Sequence, residues 1–250
     1  MRPMRCRAII PTVLGLTLLL AACSGPGVAA GSVGRPGGGD GPTPTPPPAG
    51  LQWFFADSWT GAGFTTVITL TNPGGEDAEA TITFLGTDGA ATERHFPVVA
   101  KGETAVDMRD LLGKELVRAH RIKSDKPILV THKITNGQGG LTVAGMTEQA
   151  LRWRFKENRP AGAYDKWLEL ANFGGLVSTV RVEYTTDSGS GENKQFDVPA
   201  HSLLLVHLNQ DFPKGIGHWT VVVQSGVPIV AEMTVYDKPG NLVADMVGER

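Results

Sequence analysis

The chain has 250 residues, 41% of them hydrophobic and 19% charged, with a formal net charge of −2. That length admits one large domain or two ordinary ones, and the balance is that of a folded protein rather than a disordered one. The near-neutral charge supplies no basic face for nucleic acid, so nucleic-acid binding is set aside.

Residues 1–22 have the layout of a secretory signal. Arg2, Arg5 and Arg7 precede a mainly apolar run from Ala8 to Leu20, and Ala21 and Ala22 follow. The run falls short of the ~20 apolar residues of a comfortable membrane span. Removing it takes three arginines and Cys6, leaving 20 basic against 25 acidic side chains, a net charge of −5. The stretch Leu20-Ala21-Ala22-Cys23 resembles a bacterial lipoprotein signal. The resemblance implies cleavage before Cys23, a diacylglycerol on its thiol and an acyl group on its amine. Cys23 then has no second cysteine in the chain to pair with. Two or three acyl chains anchor a protein stably where one binds only marginally. The expected location is therefore extracytoplasmic and membrane-anchored.

Residues 23–50 comprise Cys23 and a tether rich in glycine and proline. With no apolar periodicity, such a segment cannot offset its ordering entropy and is expected to stay disordered. The run Pro42-Thr43-Pro44-Thr45-Pro46-Pro47-Pro48 should form a stiffer, extended spacer.

The remainder repeats itself after about 100 residues. Trp53 and Phe55 recur as Trp153 and Phe155; Leu70, Asn72, Gly74 and Gly75 recur as Leu170, Asn172, Gly174 and Gly175. Phe96, Val98, Ala100 and Val106 recur as Phe196, Val198, Ala200 and Val206. With one residue inserted, Ser124, Pro127 and Ile128 are matched by Ser225, Pro228 and Ile229. Near the ends the original spacing returns, matching Val143, Ala144 and Met146 to Val243, Ala244 and Met246. Residues 51–149 and 150–250 thus read as two copies of one domain, joined by a connection too short for free reorientation.

Each copy reads as β. Ala80 to Phe84 and Val180 to Tyr184 alternate apolar and polar side chains, as half-buried strands do. Thr66 to Thr71 is rich in β-branched residues and ends at the turn signal Asn72-Pro73-Gly74-Gly75. Met108 to Leu112 predicts about one helical turn, and its counterpart, which holds Pro213 and Gly215, a turn at most. Seven or eight short strands per copy make the expected class all-β: two tandem immunoglobulin-like antiparallel β-sandwich domains after a disordered stalk. The motifs Trp53-Phe54-Phe55-Ala56, Leu70-Thr71-Asn72-Pro73, Val198-Pro199-Ala200-His201-Ser202 and Pro228-Ile229-Val230-Ala231-Glu232 resemble a repeat of bacterial surface and secreted proteins. That resemblance implies a β-sandwich module, often in tandem, with no assigned catalytic activity. The motifs fall at strand ends and turns, where they would determine the fold.

Catalytic chemistry finds little to stand on. The six histidines, His95, His120, His132, His201, His207 and His218, fall at no equivalent positions and form no metal-ligating motif. His201 and His207 would lie roughly 20 Å apart along a strand, too far to share an ion. No GxSxG and no spare cysteine is present. The loop from Thr186 to Asn193 holds two carboxylates but lacks the spaced acids of a calcium loop. No metal or cofactor is expected. Trp59, Trp167 and Trp219 are not shared between copies and are candidate contacts for a glycan or a protein partner. Trp167 alternates with Leu168 and Leu170, which sets it on the opposite face from them. The sequence therefore points to a lipid-anchored, non-catalytic envelope protein that binds, adheres or scaffolds, with the membrane and an envelope protein or glycan as partners. The alternatives are an envelope enzyme or metal protein using His201, His207 or His218, and an accessory subunit of a surface assembly.

Overall fold

The computed structural model describes residues 50–250 apart from 62, 114–116, 137–138, 158, 160–162, 187–188, 190, 213–218 and 238–239. The signal segment, Cys23 and nearly all of the tether lie outside the described residues, as does His218.

Fourteen strands and two short helices follow one another in two parallel series. The first comprises β1 (Gly50–Phe55), β2 (Thr65–Thr71), β3 (Ala78–Leu85), β4 (Ala91–Val98), β5 (Glu103–Asp107), α1 (Met108–Leu112), β6 (Ala119–Thr135) and β7 (Gly140–Ala144). The second comprises β8 (Ala150–Glu157), β9 (Tyr164–Asn172), β10 (Ser178–Thr186), β11 (Gly191–Val198), β12 (Ser202–His207), α2 (Leu208–Asp211), β13 (Trp219–Asp237) and β14 (Leu242–Val247). Each series makes one seven-stranded antiparallel sheet. The order is β4-β3-β6-β2-β5 in the first and β11-β10-β13-β9-β12 in the second. β1 and β7 pair with β6, and β8 and β14 with β13.

The long strand explains the curl. The first part of β6 pairs with β3 up to Ser124, and its last part pairs with β2 from Leu129. Pro127 lies between, where a missing N–H costs no ladder bond. β13 bends likewise between Ser225, opposite Val180, and Val230, opposite Ala171. Its bend contains Pro228. The indole of Trp53 donates across the bend to the Ile128 carbonyl (3.2 Å), and Trp153 donates to Ile229 (3.0 Å). The shared tryptophans are thus clamps on the curl.

Each curl folds its alternating apolar positions inward. Trp53, Phe55, Ile68, Leu70, Ile82, Phe84, Ile122 and Val130 make one core. Trp153, Phe155, Leu168, Leu170, Val182, Tyr184, Val223 and Met233 make the second, which also takes in Phe54, Ala56, Leu85, Ala119 and Met146 of the first repeat. Both repeats belong to one compact unit, Pro44–Arg250.

The turn after β2 and β9 is built identically. The Asn72 amide donates to the carbonyls of Glu76 and Val98 and accepts from the Gly74 N–H. Asn172 donates to Leu176, Val198 and Pro199 and accepts from Gly174. One match fails. β7 sets Ala144 opposite Thr131, and β14 sets Val247 opposite Glu232. The counterpart of Ala144 is therefore Val247, three residues beyond Ala244, and Gly145 corresponds to Gly248. The identities at Val143, Ala144 and Met146 do not mark equivalent places, because strand pairing and a longer second hairpin fix the register there.

Candidate functional site

Residues that distinguish the repeats meet at their junction. The outer face of β9 carries Asp165, Trp167 and Glu169, and β13 sets Tyr236, Thr234 and Glu232 directly opposite them. β14 sets Asp245 opposite Thr234. The segment after β1 covers this face. Ala56 and Asp57 donate their backbone N–H groups to Glu232 Oε2 at 2.8 and 2.9 Å. Phe54 packs on Phe173 with ring centroids 5.3 Å apart, and the Leu203 N–H donates to the Gly86 carbonyl.

Four carboxyl groups are shut in here: Asp57 (2% exposed), Glu169 (3%), Glu232 (0%) and the half-buried Asp245, whose carboxyl oxygens are buried. Thr234 donates to Glu169 Oε1 at 2.6 Å. Glu169 Oε2, Glu232 Oε1, Asp57 Oδ2 and both Asp245 oxygens have no hydrogen-bond partner among the described residues. Burial pushes the Asp57 carboxyl up to about 7. Glu169, Glu232 and Asp245 are held well above the carboxylate range, by burial first and then by neighbouring carboxylate charge, that of Asp57 acting on all three. Ionised carboxylates without counter-charges are too costly to bury, so the closed junction favours protonated acids.

An aromatic rim seals it. Phe64, Ile134 and Tyr236 form a small cluster with Trp59, Trp167 and Leu242 packed against it. Tyr236 meets Trp59 at 6.0 Å and Phe64 at 5.7 Å. Trp59 and Trp167, unconnected in sequence, are thus brought to one place, both half-buried. Trp167 lies on the face away from Leu168 and Leu170 and is stacked on His207 at 4.3 Å. His207 has both ring nitrogens engaged, Nε2 with Asp165 and Nδ1 with Gln210. Its imidazole is thus held by two side-chain partners as well as by the Trp167 ring. Trp219 does not join them. It is 2% exposed, edge-on to Tyr184 at 4.3 Å, with the Lys166 ammonium 3.9 Å over its ring. Its ring offers nothing to a ligand from outside, because it roofs a lysine whose Nζ donates to the Arg159 carbonyl. Burial pushes the Lys166 ammonium down to about 8.

The other histidines are scattered. His201 is exposed in a left-handed turn at φ 53°, as is Lys101 at its counterpart (φ 56°). His120 and His132 are fully buried in the first core, stacked and edge-on against Phe55 at 4.7 and 5.1 Å. None of their ring nitrogens has a partner among the described residues. Burial holds His120 well below the usual imidazole range, with the charge of His132 adding to it, and pushes His132 down to about 3. Among the described residues no three His, Cys, Asp or Glu side chains converge to hold a metal ion, and no helix is long and apolar enough to cross a membrane.

Sequence reasoning passed over Glu169 and Glu232. Each sits at an outward position of an alternating strand, where an acid reads as solvated. The available signal was their absence from the first repeat, where Thr69 and Thr131 occupy the matching positions.

No protein-family model matches the chain, and no curated protein matches it. A solved structure of Thermotoga maritima 1070 aligns with 40% of this chain and 96% of its own, at 20% identity and a TM-score of 0.37.

Proposed function

We propose that the chain is a lipid-anchored cell-envelope protein whose two repeats are tandem immunoglobulin-like sandwiches, held as one non-catalytic unit for binding or scaffolding. The observation that carries this reading is the junction. Its side chains are spent on joining the repeats, with Glu232 taking two backbone N–H groups and the rings of Phe54 and Tyr236 packed between them. A chain that commits its distinctive polar and aromatic residues to fixing two modules together suits presentation at a distance from a surface. The lipoprotein-like signal and the tether of residues 23–50 supply the anchor and the spacer in this reading. Its partner is an envelope protein or glycan, and the absence of a net basic charge gives no support to nucleic acid.

Cys23→Ala is the direct test. Acyl labelling should disappear and the protein should leave the membrane fraction, while its folded domains persist. Unchanged labelling would sink the lipid anchor. Cross-linking of the anchored protein in cells should capture an envelope component, and failure to cross-link anything but lipid would remove the binding role.

A further inference from the structure

We propose that the junction between the two repeats is a proton-dependent clasp, closed while its carboxyl groups hold protons and loosened when they ionise. Four buried acids from both repeats meet there: Asp57 from the segment after β1, Glu169 on β9, Glu232 on β13 and Asp245 on β14. Among the described residues the charges acting on them are one another's carboxylates, and the Tyr236 hydroxyl is a further titratable group against them. The polar groups that reach them are the Ala56 and Asp57 N–H groups on Glu232 and the Thr234 hydroxyl on Glu169. Five carboxyl oxygens have no partner among the described residues, places where protons can sit.

The duplication shows that the fold itself has no need of these acids. The first repeat places Thr69 opposite Thr131, and Lys133 opposite Thr142, where the second has Glu169 opposite Glu232, and Thr234 opposite Asp245. Three acids therefore occur on the one sheet face that another repeat covers, and three threonines on the equivalent face of the first repeat, where they are half-buried or exposed. Neutralisation by a metal ion is the rival arrangement, but no three of these groups converge closely enough to ligate one.

The sign follows from the raised affinity for protons. The closed junction binds more protons than the open one, so closure is complete in mild acid and is lost as pH rises through the raised values, which for Asp57 is about 7. Each carboxyl that must release its proton on opening raises the open-to-closed ratio about tenfold per pH unit.

Hydrogen exchange on the full chain tests it, comparing the segment from Phe54 to Trp59 with the core strand β3 at about pH 5.5 and about pH 8.5, after correction for intrinsic rates. Protection of the Ala56 and Asp57 amides should fall by a factor of ten or more per pH unit as pH rises from about 5.5 through the raised values, while β3 stays protected. The combined variant Glu169→Gln, Glu232→Gln and Asp245→Asn should flatten that dependence. If that variant does not fold, the unmutated chain still decides. Constant protection across the range, or loss in β3 to the same degree, would overturn the clasp. So would recovery of protection at high pH on adding calcium chloride, which would assign the site to a cation.

Discussion

At the scale of single residues, the same position can serve the fold in one repeat and something else in the other. Asn72 and Asn172 are fold residues in both, each stitching its turn to the strand beyond. Orphaning several buried backbone groups there should be costly, so Asn172→Ala is expected to lower stability by about 3 kcal/mol, read from the denaturant midpoint. His120 and His132 are the opposite case. The second repeat puts Val221 opposite Phe155 and Met233 opposite Leu168, where the first has His120 opposite Phe55 and His132 opposite Ile68. Both imidazoles are buried with their proton affinity depressed, so the unfolded chain binds protons that the folded one refuses. Their stability contribution is whole above about pH 6.5 and is lost as pH falls below that, down to about 3 for His132, at up to ~1.4 kcal/mol per pH unit for each. The double variant His120→Val with His132→Met should flatten the acid limb of a plot of stability against pH, without moving the limb above neutrality.

At the scale of elements, the periodicity of the strands was legible because alternation is local, and α1 appears as the single turn its residues predict, with Asp107 accepting from the Arg109 N–H. The register of the last strand was not legible. Val143 and Ala144 find identical residues at Val243 and Ala244, yet pairing sets Ala144 level with Val247. Glycine marks the true correspondence. A Cβ on Gly145 would lie 2.6 Å from Phe55 Cζ, and one on Gly248 would lie 2.9 Å from Phe155 Cζ. Each glycine lets the chain pass over the equivalent phenylalanine. Gly145→Ala should therefore cost about 2 kcal/mol through displacement of the Phe55 ring, visible as a lowered melting temperature and altered aromatic circular dichroism.

At the scale of the whole molecule, the two repeats join head to tail in a contact that does not propagate. The outward side chains of β1 and of the residue that follows it are Phe54 and Ala56, which pack into the core of the second repeat. The matching positions of β8 are Arg154 and Lys156, both exposed. A polar strand at one end and a threonine face at the other act as caps, as the terminal members of repeat arrays must. Placing the β8 residue in β1 should break the pair. Phe54→Arg sets an unpaired charge against Phe173, and is expected to separate the repeats and enlarge the radius of gyration in small-angle scattering, with each β-sheet retained.

The sequence by itself determined the β class, the internal repeat of Trp53 as Trp153 and Asn72 as Asn172, the turn that follows Asn72, and the face on which Trp167 lies. All of these follow from spacing along the chain, which is where strand alternation and turn chemistry are written. Only the tertiary structure decided that Trp59 and Trp167 pack against one aromatic cluster, that Trp219 is buried over a lysine, and that Glu169, Glu232 and Asp245 share a closed space with Asp57. The reason is physical. An outward position on a strand is solvated until something covers it. What covers it here is another part of the chain more than a hundred residues away, brought there by docking of two curled sheets.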